Sequence, residues 1–342
     1  MQRDQLSTLR ADVLERARSA FAHMDEISEQ NTKKVLDVMR ACRVSDVHFN
    51  VSAGYAYSDL GREKLDEVYA CVFGAERALV RTQFVSGTHA LAAVLFGLLR
   101  PGDRLVSITG TPYDTMQTVI GWAHESCGSL KEFGVSYDEL PLREGHVDLD
   151  SIAHVMTPET KIALVQRSRG YSEREPLSIA DIRAVSARIK AANPNCIVFV
   201  DNCYGEFVET EEPTAIADVD IMAGSLIKNP GGGLAPTGGY IAGRSDLVEM
   251  ASYRLTAPGM GDELGASLVS NRLLFQGLFL APHVVAQALK GAVFAAGIFE
   301  RLGCHTFPRF TDVRSDIIQA IELGDAERMK AFARAIQAMS PV

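Results

Sequence analysis

Two neighbouring stretches decide how the chain is read: CIVFVDNCYGEF at 196–207 and DIMAGSLIKNPGGGLAPTGGYIAG at 220–243. Each holds a short, mostly apolar run, 196–200 and 220–227, of the kind that forms a strand buried on both faces of a parallel sheet. Polar residues and glycines follow. In open α/β sheets ligands bind beyond the carboxyl ends of the strands, so the residues that end these runs are the first candidates for chemistry. Asp201 ends one run, where a carboxylate either caps the next helix or hydrogen-bonds a ligand. Lys228 ends the other, after Ala223-Gly224-Ser225-Leu226-Ile227. A lysine placed there is expected to lose solvation, which lowers its pKa and frees a nucleophilic amine. The alternative is a lysine that snorkels to the surface. The following Asn229-Pro230-Gly231-Gly232-Gly233 lets backbone approach a ligand closely.

Outward from this segment, RLVSIT (104–109) and KIALV (161–165) read as further buried strands. HALAAVLFGLL (89–99) and IADIRAVSARIKAA (179–192) read as helices between them. Strands alternating with helices imply βαβ units, an α/β fold and a mainly parallel sheet covered on both faces. Residues 8–40 place Leu9, Val13, Ala17, Phe21 and Met24 at helical spacing, and the aromatic stretch VHFNVSAGYAYSDLG follows. After Ala281 the pattern changes to a helix over 282–302, a strand-like IIQAIEL (317–323) and a helix over 325–338. The expected organisation is an N-terminal helical arm (1–50), a large α/β domain (51–280) and a partial, smaller α+β domain (281–342).

Composition narrows the function classes. The 342 residues are 47% hydrophobic and 23% charged, with 34 Lys and Arg against 43 Asp and Glu. That is an ordinary globular balance, and no basic block marks a nucleic-acid binder. The six cysteines form no C-x-x-C pair and no zinc-ligand spacing, which argues against a disulfide framework or a metal site and for a reducing, cytoplasmic setting. The charged N-terminus lacks the apolar core of a signal peptide. The apolar run 278–299 contains Pro282, His283, Gln287 and Lys290, so it reads as a buried helix and no membrane partner is expected.

A third signal is Ser86-Gly87-Thr88, just before the apolar helix 89–99. A small turn at a helix N-terminus offers free N–H groups and a positive dipole end to a phosphate, although Ser and Thr also cap many helices. No Walker loop and no G-x-G-x-x-G turn occurs. His89, beside this turn, reads as a helix or core residue, and His48 as a structural one. A phosphate cup, a strand-end aspartate and a strand-end lysine, in that order, suit pyridoxal 5′-phosphate.

The motifs SGTHALAAVLFGLLRPGD (86–103), TGTPYDT (109–115), FVDNCYGEF (199–207) and SLIKNPGGGLAPTGGYIAGR (225–244) resemble the bacterial methionine gamma-lyase-related proteins, also labelled cystathionine beta-lyase-like or aluminium-resistance proteins. VHFNVSAGYAYSDLGREKLDEVYACVFGAERALVR (47–81) is similar to them too, and the likeness spans essentially the whole chain. The resemblance implies a fold-type I pyridoxal-phosphate enzyme. It makes Lys228 the Schiff-base lysine and proton shuttle and pairs Asp201 with the pyridinium. Ser86, Gly87, Thr88 and Ser225 take the phosphate, and Tyr113 stacks on the cofactor ring. Tyr55 falls where related lyases reach a neighbouring subunit's cofactor with Tyr-x-Arg; here the third position is Tyr57, with Arg62 as a substitute cation. Relatives continue beyond this C-terminus, where their substrate-carboxylate arginine lies, so Arg167 and Arg169 are the nearest in-chain candidates, with a structural ion pair as the alternative. The implied activity is carbon–sulfur β- or γ-elimination on a sulfur-containing amino acid, in a homodimer or homotetramer to which the arm's apolar stripe lends contact area. A cofactor binder with little activity and an aminotransferase are the alternatives.

Overall fold

The computed structural model describes residues 3–55, 58–122, 127–172, 174–267 and 271–340. Its centre is a seven-stranded sheet: β1 (Arg77–Arg81), β2 (Arg104–Ser107), β3 (Ser136–Glu139), β4 (Thr160–Gln166), β5 (Ile197–Asp201), β6 (Ile221–Ser225) and β7 (Gly239–Gly243). The order is β1-β7-β6-β5-β4-β2-β3, and only β7 runs antiparallel to its neighbours β1 and β6. The apolar runs of the sequence become the parallel centre. β1, β3 and β7 are the strands the sequence reading did not single out; β3 is half polar and β7 is rich in glycine, so neither carries a strong apolar run.

Ten helices are described: α1 (Arg3–Arg16), α2 (Arg18–Ala41), α3 (Leu60–Phe73), α4 (Gly87–Leu98), α5 (Asp114–Ile120), α6 (Ile152–Val155), α7 (Ile179–Ala192), α8 (Ser245–Leu255), α9 (Asn271–Arg301) and α10 (Ala326–Met339). Alternate residues of each strand face opposite layers. In β5, Val198 and Val200 join the layer of α3, α7 and α9, whereas Ile197 and Phe199 join that of α4, α5 and α8. Full burial of a side chain such as Phe199 stabilises the fold by about 1.5–3 kcal/mol.

Three expectations change. The domain boundary expected at 280/281 falls inside α9, which starts at Asn271 and runs through Pro282. Proline removes one helical hydrogen bond, and the apolar contacts of Leu274, Leu278, Val285 and Leu289 carry the helix across it. The arm's stripe turns inward: Val13 and Ala17 are buried, and a Cβ built on Gly297 of α9 would lie 2.7 Å from Val13, so this stripe packs on its own chain. The strand expected over 317–323 shrinks to β9 (Ala320–Glu322), which pairs antiparallel with β8 (His305–Phe307).

The loop after Lys228 is pressed onto α9. A Cβ on Gly277 would lie 2.3 Å from the Gly231 carbonyl oxygen, and one on Gly232 would lie 2.2 Å from that of Gly277. Neither backbone can retreat without moving the loop that carries the lysine. Gly277→Val should therefore destabilise the fold by roughly 1–3 kcal/mol, read as a lower denaturant midpoint, whereas Gly291→Ala, in open space on the same helix, should not.

Candidate active site

β5 and β6 are parallel neighbours, so Asp201 and Lys228 emerge at the same sheet edge. Asp201 closes β5 and is buried; its carboxylate accepts the Cys203 N–H at 3.1 Å. Burial pushes its carboxyl above the ordinary aspartate value, while the Lys228 charge, the Cys203 hydrogen bond and the Arg174 charge pull it back.

Lys228 departs from its expected electrostatics. Burial does pull its ammonium down, but Cys203, Asp201, Tyr204 and Glu206 outweigh that and leave its pKa above the ordinary lysine value. Burial and Asp201 also hold the Cys203 thiol well above its usual range, so at neutral pH the thiol carries no charge. Asp201 and Lys228 each favour the other's charge. In this state the amine is a held cation, its Nζ 3.8 Å from the centroid of the Tyr204 ring.

The phosphate-cup residues meet these two. Ser86 caps α4 by accepting the His89 N–H at 3.1 Å, which leaves the N–H groups of Gly87 and Thr88 at the open end of the helix. Gly87 faces Ser225 at the end of β6: a Cβ added to it would lie 3.1 Å from the Ser225 Cβ and 3.4 Å from the Cys203 Sγ. The Ser225 hydroxyl is buried and has no hydrogen-bond partner. A buried hydroxyl without a partner is costly, and here it lies beside a helix N-terminus suited to an anion. A phosphate fits this donor set. Tyr113 precedes α5; burial and Asp201 raise its phenol, which faces Thr88 and Thr115.

The structure brings Asp201, Lys228, Ser225, Gly87, Thr88 and Tyr113 together, with Ser86 beside them as the cap of α4, and leaves Arg167, Arg169 and Tyr55 elsewhere. Arg167 is fully buried behind the site, donating to Asn202 Oδ1 (2.9 Å) and Glu209 Oε1 (2.8 Å), with Glu212 at 3.6 Å. Arg169 is buried, donates to the carbonyls of Ser172 (2.8 Å) and Phe307 (3.0 Å), and lies over the Phe307 ring. Both arginines are committed to internal partners, which corrects their reading as substrate ligands: Arg167 takes the ion-pair alternative, whereas Arg169 is held by backbone carbonyls and an aromatic ring. Arg62 is buried too and donates to the carbonyls of Glu263 (2.7 Å) and Gly265 (3.4 Å). Tyr55 is 87% exposed and lines a cavity of about 580 Å³ with Val47, Val51, Ser58 and Leu60, and Lys228 is not part of that lining. Tyr57 lies outside the described residues.

Several neighbours were missed. Tyr204 and Glu206 sit in the quoted stretch 196–207, and a cluster of titratable groups directly after an apolar strand was the available signal. Arg174 lies in the loop after β4, is buried and donates to the carbonyls of Gln166 (2.6 Å) and Ser168. Burial lowers its guanidinium to about 10, which leaves it charged near Asp201.

Such a sheet, with a lysine and an aspartate at the carboxyl edge and an anion cup between them, defines a fold-type I pyridoxal-phosphate enzyme architecture. The methionine gamma-lyase family model matches residues 6–342, and the chain belongs to that family. It is 51% identical to the uncharacterized protein YnbB of Bacillus subtilis over 93% of this chain and 76% of that protein. A structure from Clostridium novyi, described as a carbon-sulfur lyase involved in aluminium resistance, superposes with a TM-score of 0.96 at 45% identity, covering 99% of this chain and 81% of that one. L-methionine gamma-lyase of Pseudomonas putida is 27% identical over 70% of this chain and 51% of that enzyme.

Two variants test these assignments. Arg167→Met would leave Glu209 and the buried Glu212 without their cation and should cost about 3–5 kcal/mol of stability. Glu206 is fully buried; burial pushes its carboxyl up to about 8, against the hydrogen bond from Tyr240 at 2.7 Å. The folded chain keeps a proton there that the unfolded chain gives up near 4.5, so this group stabilises the fold at low pH and the benefit fades as pH rises through 8. Between pH of about 5 and 8 the wild type should lose unfolding free energy relative to Glu206→Gln in parallel denaturant titrations.

Proposed function

We propose that this chain is a pyridoxal-phosphate-dependent carbon–sulfur lyase acting on a sulfur-containing amino acid, working as a homo-oligomer in a reducing, cytoplasmic setting. The observation that carries the reading is the convergence of Lys228 and buried Asp201 at one sheet edge, beside a partnerless Ser225 hydroxyl facing the N-terminus of α4. When bound, pyridoxal phosphate supplies a carbonyl for condensation with amines and a ring that accepts electrons from the α-carbon.

The chain's own residues supply the rest. The Ser225 hydroxyl and the N–H groups of Gly87 and Thr88 would bind the phosphate. The Asp201 carboxylate would hold a proton on the ring nitrogen, and its burial makes that contact strong. Tyr113 would bound one face of the ring and exclude water. Lys228 would anchor the cofactor and, once displaced by the substrate amine, take the α-proton at Nζ. Loss of a thiol from the β or γ carbon follows that same first proton transfer. The substrate carboxylate needs a cation other than Arg167 or Arg169. The six free cysteines support the reducing setting, and the exposed Tyr55 segment supports assembly with a second copy.

Visible spectra of the reconstituted protein with and without cysteine, cystathionine and methionine test the reading. A lyase should release keto acid, ammonia and thiol; amino-group transfer would show an aminotransferase, and an unchanged spectrum a bare binder. Borohydride should fix the cofactor on the peptide that carries Lys228, and Lys228→Ala should abolish that adduct. Asp201→Asn should still bind cofactor but lose roughly 10²–10⁴-fold in α-proton exchange. A label on another lysine, or near-normal exchange in the aspartate variant, would overturn the assignment.

A further inference from the structure

The turn after Asp201 holds two non-glycine residues in the left-handed region, Tyr204 at φ +71° and Phe207 at φ +61°. Bulky residues are strained there, and such strain persists only where the surroundings over-determine it. They do so here. From α2, the Asn31 amide donates to the carbonyls of Phe207 (3.2 Å) and Glu209 (2.9 Å). From the loop after the lysine, the Asn229 amide donates to the Glu206 carbonyl (2.9 Å). The Glu212 carboxylate accepts the Phe207 N–H (2.8 Å), and the Ile317 N–H donates to the Tyr204 carbonyl (3.3 Å).

Distant parts of the chain thus fix the backbone of one turn, and the side chain they deliver is the Tyr204 ring. Lys228 rests on it. No ion pair within 4.0 Å joins Lys228 to Asp201 among the described residues; the ammonium lies over the ring face instead. An aromatic face attracts a cation through its quadrupole, most strongly where water is partly excluded.

We propose that Tyr204 is a positioning residue for Lys228: its ring face seats the amine at the edge of β6 and keeps it off the Asp201 carboxylate, and the strained turn exists to present that face. This rests on the reading of Lys228 as the cofactor's anchor and adds what sets the place of its amine beforehand. The charged or titratable groups facing Lys228 are Cys203, Asp201, Tyr204 and Glu206. Only Tyr204 offers a ring face, so a phenylalanine there should serve as well.

The test is competitive acetylation of cofactor-free protein with acetic anhydride across pH, with Lys228 read by peptide mapping against exposed Lys33. The midpoint of labelling reports the amine's proton affinity, independent of its accessibility. Tyr204→Phe should keep the wild-type midpoint. Tyr204→Leu and Tyr204→Asn should lower it by roughly half to one and a half pH units. Asparagine tolerates the left-handed region, so Tyr204→Asn should be at least as stable as wild type while its lysine is less well held. A purely structural role for Tyr204 would move stability and leave the midpoint in place. A wild-type midpoint in the asparagine variant overturns the proposal, as does a phenylalanine variant that matches leucine. The cofactor reading fails separately, if borohydride labels another lysine in the wild type.

Discussion

A carboxylate and an ammonium held at the ends of two adjacent buried strands are the constraint around which this site is arranged. Parallel pairing of β5 with β6 fixes Asp201 and Lys228 at one edge, and burial makes each charge expensive unless the other is near. Neither is fully satisfied. Asp201 is bonded to one backbone N–H, and Lys228 rests on an aromatic face. Ser225 adds a hydroxyl with no partner at all. Under-satisfied polar groups this close together mark a place built for a polar guest.

A hydrogen-bonded polar network lies directly behind. Arg167, Glu209, Glu212, Asn202, Tyr240 and Glu206 form a buried network that stiffens the loop between β5 and β6. Rigid support of this kind sets how exactingly a site can hold its guest. The glycine contact between α9 and the loop after Lys228 acts in the same sense from the opposite side. The segment after α9 joins in through Asp316, whose carboxylate accepts from the Ser168 hydroxyl (2.8 Å) and the Arg169 N–H (3.2 Å) beyond β4.

The parallel centre of the sheet was legible because β4, β5 and β6 are short apolar runs punctuated by polar residues. The antiparallel β7 was not, since Gly239-Tyr240-Ile241-Ala242-Gly243 has too little side chain to declare itself. The order of cup, aspartate and lysine pointed to a cofactor because each residue sits at the end of a regular element. Partners made across the fold were beyond reach. Whether Arg167 faces a ligand or Glu209 depends on contacts between segments 42 residues apart, and nothing local encodes them. The proton affinity of Lys228 moved opposite to expectation for a related reason: burial was readable from its strand, and how near the acidic groups of 201–206 come to the amine was not.

The most direct test of the central claim is the nitrogen-15 resonance of pyridoxal phosphate labelled at the ring nitrogen and bound to the protein at neutral pH. The account predicts one cofactor per chain with its ring nitrogen protonated, and loss of that protonated signal when Asp201 becomes asparagine. An unprotonated ring nitrogen in the wild type, or a protonated one that survives the loss of Asp201, would contradict it.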